Sequence, residues 1–153
     1  MCTSISLSTP VALSGRNMDI EYSFGEQVVI TPRNYRFFFQ NGHRMQSHFA
    51  MIGMAHIADG FPLYAEAANE KGLYIAGLNF PDNAFYFPPS NISKGKKQLA
   101  PYELIPFLLE TCQTTEEAKK QLEMIQLTAL PFSSNMPLAP LHWHIADSKS
   151  EIV

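Results

Sequence analysis

The first half of the chain alternates between apolar and polar positions. In TSISLS, residues 3–8, Ile5 and Leu7 fall on one face and the serine hydroxyls on the other, the period of a strand. PVALSGRNMD, residues 10–19, reads as its return strand, with Ser8, Thr9 and Pro10 turning the hairpin. EQVVITP (26–32) and YRFFFQ (35–40) are rich in β-branched and aromatic residues and predict two more strands. HFAMIGMAH (48–56) and GLYIAGLNF (72–80) are apolar on both faces, as strands inside a layered core are.

The period then changes. Residues 82–98 are polar and contain Pro, Gly and Ser, which predicts a long surface loop. APYELIPFLLETC (100–112) reads as a helix with Pro101 at its first position, and Pro106 should kink or shorten it. TTEEAKKQLEMIQL (114–127) carries the clearest helix signature. Thr114 and Glu117 suit a capping box, lysines follow the acidic residues, and Ala118, Leu122 and Ile125 form an apolar stripe. LHWHIAD (141–147) and SEIV (150–153) return to strand. Strands, two helices and strands again predict an α+β fold in mixed layers, with residues 1–153 as a single domain. SEIV reads as the start of a strand, so the fold is expected to be incomplete at its C-terminal end.

Composition narrows the function. The chain has 153 residues, 46% hydrophobic and 16% charged, with a formal net charge of -3. That is a globular composition with no basic footprint for nucleic acid. The Gly95–Lys97 cluster reads as a solvated loop tip. No apolar run approaches a membrane span and no secretory leader is expected. The two cysteines, Cys2 and Cys112, suit a reducing compartment, so a cytoplasmic location is expected.

Cys2 raises the chemical question. Removal of Met1 would leave a thiol and a free α-amine on one residue. Such an amine titrates at about 7.7–8.0 and can serve as base to its own thiol. This is the logic of N-terminal-nucleophile hydrolases, but a second-position cysteine alone is only a residue near a terminus. GRNMD, residues 15–19, would return beside it if the hairpin forms. Arg16 could then lower the thiol pKa or hold a substrate carbonyl or carboxylate. Asp19 could accept from the terminal amine. Residues 16 and 19 point to opposite faces of an ideal strand, so both reach one site only if the strand bends or ends near Asn17.

His142 and His144 share a strand face, a spacing that suits a metal, but no third ligand of matching spacing follows and no metal is expected. His43, His48 and His56 are scattered and read as surface or core residues. Cys112, near a helix end, reads as a small buried residue.

The ordered set MCTSI, GRNMD, VVITPRNY, NEKGL, AGLNFP, LHW and AD resembles the choloylglycine hydrolases, which comprise bile salt hydrolases and penicillin V acylases. The resemblance runs from Cys2 to SEIV. It implies an αββα sandwich of the N-terminal-nucleophile hydrolase type and amide hydrolysis through a thioester on Cys2, without a cofactor. Arg16, Asp19 and Asn79 match active-site positions. Asn79 stands where bile salt hydrolases carry Asn and penicillin acylases typically Tyr, which tilts the substrate towards glycine- or taurine-conjugated bile salts. On the residues alone, Asn79 reads as a buried strand-end cap. The resemblance also implies an apolar wall for the steroid, with Met18, Ile57, Phe61, Phe132 and Leu138 as candidates, and a homotetramer. Family members continue well past residue 153 and supply a further Asn and Arg. The alternatives are therefore a penicillin V acylase, or a truncated remnant that at most binds amphipathic ligands.

Overall fold

The structure, a computed structural model, describes residues 2–21 and 23–149. The expected SEIV strand and the fate of Met1 lie outside the described residues. A hairpin of β1 (Thr3–Ser8) and β2 (Ala12–Asn17) stands over a five-stranded antiparallel sheet. In spatial order its strands are β3 (Gln27–Thr31), β4 (Met51–Ala58), β5 (Phe61–Asn69), β6 (Tyr74–Asn79) and β9 (Leu141–Ala146). Helix α1 (Leu104–Leu109) packs on β5 and β6. Helix α2 (Thr115–Leu122) follows. A short parallel pair, β7 (Lys97–Leu99) and β8 (Ile125–Leu127), flanks the helices.

The sequence pattern does not predict β5. Its Ala-rich sequence has little strand propensity, and it folds because it pairs on both sides. Its signal was Asp59-Gly60: both residues have positive φ, 49° and 75°, which is the two-residue turn that matches strand twist. At the other end Asn69 is buried. Its Oδ1 accepts from the backbone N–H groups of Lys71 and Leu73, and its Nδ2 donates to the carbonyls of Leu109 and Cys112. One side chain thereby joins the β5–β6 turn to the end of α1.

The YRFFFQ segment alternates in burial as a strand does, with Phe37 and Phe39 inside and Phe38 outside, but it has no strand partner among the described residues. A carboxylate stands in for the missing ladder: buried Glu103 accepts from Gln40 N at 2.7 Å and from Ala100 N at 2.9 Å. Phe37 and Phe39 then join Leu104, Leu108, Ile75 and Ile145 in the core. Complete burial of a side chain such as Leu108 contributes about 2 kcal/mol.

Both helices are shorter than their sequence signals. Pro101 opens a single 3-10 turn, Pro101–Glu103, and α1 begins after it. Pro106 falls in the first turn of α1, where no intrahelical N–H is required. Thr114 caps α2 by accepting from Glu117 N at 3.2 Å, while the Glu117 carboxylate accepts from Gln113 N at 2.6 Å, one residue before the expected partner. α2 stops at Leu122, and Ile125 is buried in β8 rather than on the helix stripe. Thr115 N and Oγ1 both bond Asp147 Oδ2 at 3.1 Å, which docks α2 against the end of β9.

Candidate active site

β1 turns its serine face inward and leaves Ile5 and Leu7 outside, 56% and 46% exposed. The register Thr3↔Asn17 and Ser4↔Arg16 sets the ends of the hairpin side by side, and Asn17 Oδ1 accepts from Thr3 N. β2 ends at Asn17, which meets the condition for Arg16 and Asp19 to approach one site. Cys2 is half-buried there. Arg16 Nη2 lies 3.5 Å from Cys2 Sγ, and the thiol faces the carbonyl of Asp19 at 4.0 Å. The same guanidinium nitrogen donates to Gly77 O at 2.5 Å, so β6 aims it. Arg16 Nε and Nη1 are buried without a partner among the described residues.

Burial alone would push the Cys2 thiol up. Hydrogen bonds with the backbone at Asn79 and Asp19 and the charge of Arg16 outweigh burial, and the thiol sits below its ordinary range. The charge of Arg16 is one of the lowering influences, after the two backbone bonds. Asp19 approaches the thiol through its backbone, and its side chain is exposed. Asn79, at the end of β6, is exposed rather than a buried cap, and its backbone meets the thiol.

A cavity of about 370 Å³ opens beside the thiol, lined by Cys2, Thr3, Ser4 and Ser6, by Leu78 of β6 and by His142 and His144 of β9. A thiol of lowered pKa in an open cavity, beside a cation, is equipped to attack a carbonyl carbon. The profile of the linear amide C-N hydrolases, choloylglycine hydrolase family, matches residues 2–153. The chain belongs to the choloylglycine hydrolase family.

The chain is 41% identical over 153 residues to a bile salt hydrolase/transferase of Lactiplantibacillus plantarum, covering 100% of this chain and 46% of the relative. It is 36% identical over 155 residues to a conjugated bile acid hydrolase of Lactobacillus gasseri, covering 100% of this chain and 48% of the relative. The crystal structure of a variant of conjugated bile acid hydrolase from Clostridium perfringens superposes with a TM-score of 0.89 at 34% identity, over 99% of this chain and 46% of that one. Penicillin V acylase from Agrobacterium tumefaciens, at TM-score 0.74 and 16% identity over 99% of this chain and 45% of that one, shares the fold. These likenesses show the fold to be that of the N-terminal-nucleophile hydrolases. The chain spans about half the length of the relatives it matches.

The five apolar candidates for a choloylglycine hydrolase substrate wall lie apart from this cavity's lining. Phe61 and Phe132 have ring centroids 6.2 Å apart, and Tyr102 packs on both. Phe61 is buried, and Phe132 is half-buried against the core. Ile57 is exposed on β4, and Met18 and Leu138 are half-buried in connections. His142 and His144 do share a face, as their spacing required, and it is the face beside Cys2. Among the described residues no group of three His, Cys, Asp or Glu is placed to hold a metal. No helix among them is long and apolar enough to cross a membrane.

Proposed function

We propose that this chain carries the nucleophile of an amide hydrolase for glycine- or taurine-conjugated bile salts. The observation that supports it is the Cys2 thiol, lowered in pKa, 3.5 Å from Arg16 and set against the backbone of Asn79. The relatives' names supply the substrate class, and Asn79 is the residue that favours bile salts over penicillin V.

Once Met1 is removed, the Cys2 thiolate attacks the amide carbonyl carbon, and its electron pair forms the C–S bond. The carbonyl oxygen becomes an oxyanion, which the Asn79 side chain stabilises. Arg16 stays beside the thiol as the cation that favours its ionised form. The Cys2 α-amine holds the thiol proton and passes it to the departing amine as the C–N bond breaks. Water then attacks the thioester, releasing the bile acid and restoring the thiol. Asp19 orients the α-amine. Met18, Ile57, Phe61, Phe132 and Leu138 belong to the proposal as walls for the steroid. The free thiols of Cys2 and Cys112 fit a reducing, cytoplasmic setting. Assembly as a homotetramer is part of the same reading.

The test is amine release from glycocholate, taurocholate and penicillin V by the wild type and Cys2→Ala. The proposal expects bile-salt turnover that Cys2→Ala abolishes. Equal rates in both proteins would sink it, and turnover of penicillin V alone would transfer the chain to the acylase reading.

A further inference from the structure

His144 lies beside the nucleophile and has no part in the reaction above. Both of its ring nitrogens reach β1: Nδ1 meets Ser4 Oγ, and Nε2 meets Ser6 Oγ at 3.2 Å. The remaining contacts fix the direction of each bond. Ser4 Oγ donates to Gly15 O at 3.2 Å, so its hydroxyl proton is spent and it accepts from His144 Nδ1–H. Nε2 is then bare and accepts from Ser6. Ser6 in turn accepts from Ser14 Oγ at 2.7 Å. A single chain of hydrogen bonds thus leaves β2 at Ser14, crosses β1 to the imidazole on β9, and returns through Ser4 to β2 at Gly15. Burial holds His144 below its ordinary pKa, in the neutral form this pattern needs.

The outward positions of the hairpin, Ile5, Leu7, Val11 and Leu13, are exposed, and the inward positions of β1 are Ser4 and Ser6. Polar bonds to the sheet therefore set where β1 sits, and Cys2 stands immediately before β1. Arg16 to Gly77 O is one such tie, and His144 is another side chain that spans the two layers here.

We propose that His144 is a positioning residue for the nucleophile: it clamps β1 through Ser4 and Ser6 and so holds Cys2 against Arg16 and the backbone of Asn79. This rests on Cys2 being the nucleophile, but the readout is thiol chemistry, so absent bile-salt turnover would sink that reading and leave this one testable.

The experiment is the rate of Cys2 carboxamidomethylation by iodoacetamide from pH 5 to 10, followed by peptide mass on the full chain. The proteins are wild type, His144→Leu, His144→Gln and the double variant Ser4→Ala/Ser6→Ala, with circular dichroism on each. Loss of a hydrogen-bonded clamp should cut the neutral-pH rate about fivefold and move the midpoint of the profile upward in His144→Leu and in the double variant. His144→Gln, which can still donate and accept, should lie closer to wild type. A His144→Leu profile that superimposes on wild type overturns the proposal. If His144→Leu fails to fold, the double variant decides: a wild-type profile there overturns the proposal equally.

Discussion

Replacing Glu110 by Gln isolates the charge of a buried carboxyl that the proposed reaction does not use. Glu110, at the end of α1, is 1% exposed, and its Oε1 has no partner among the described residues. Its Oε2 lies 2.9 Å from His43 Nε2. That distance fits an ion pair, but both groups are pushed to neutrality. Burial raises Glu110 to about 8, and burial with the charges of Lys97 and Arg44 lowers His43. Glu110 O–H therefore donates to a neutral His43, and the side-chain amide of the Glu110→Gln variant would make the same bond. Between pH 4.5 and about 8 the unfolded chain has released this proton and the folded chain has kept it. The stabilising protonated state is complete at the acid end, and stability falls as pH rises. At about 1.4 kcal/mol per pH unit the whole window amounts to about 5 kcal/mol, and about 3 kcal/mol is lost by pH 7. Relaxation around the ionised group reduces this, so a gap of about 2 kcal/mol is a conservative threshold. Urea unfolding of wild type and Glu110→Gln at pH 5 and pH 8 reads the difference directly, because other titrating groups are common to both proteins. The variant should gain on wild type by at least that threshold between the two pH values. Parallel pH dependences would refute the reasoning.

Other perturbations test other parts of the structure. A Cβ on Gly53 would sit 2.1 Å from Glu66 O and 2.6 Å from Ala67 Cα, both backbone, so Gly53→Ala should part β4 from β5 and cost about 3 kcal/mol or more in chemical denaturation. Asn69→Ala strips four partners from the β5–β6 turn and the end of α1, and should cost about 2–4 kcal/mol in the same assay, with early amide exchange at Leu73. Arg16→Gln removes the cation beside Cys2, so the thiol pKa should rise and iodoacetamide should modify Cys2 more slowly at pH 7; an unchanged rate would remove Arg16 from the electrostatic account.

Much of this fold was legible because its strongest signals are local. The hairpin, β4, β6, β9 and the Thr114 cap all follow from period and capping chemistry. What escaped depends on distant partners. β5 is a strand only because β4 and β6 flank it, although Asp59-Gly60 marked its start. Residues 35–40 had the pattern of a strand but meet Glu103 instead of a neighbour. Ile125 continued the helical stripe by spacing, yet pairing with Lys97 draws it into β8.

The site shows the same division. Cys2, Arg16 and Asp19 come together because the hairpin register is short-range. Asn79 needed the family's pattern, and Gly77 O carries no side-chain signal at all. The spacing of His142 and His144 was visible, but its meaning changes once Ser4 and Ser6 are set against the ring. Alternation in β1 hid this too, because the apolar face faces out and the serine face carries the contacts.

The proposed function stands or falls on Cys2 being the acylated nucleophile. Acid quenching within the first turnovers on glycocholate, followed by peptide mass, tests it most directly. A choloyl group is expected on Cys2, lost on incubation with hydroxylamine and absent from Cys2→Ala. Glycine release with no acylation at Cys2, or acylation at Cys112 instead, would contradict it.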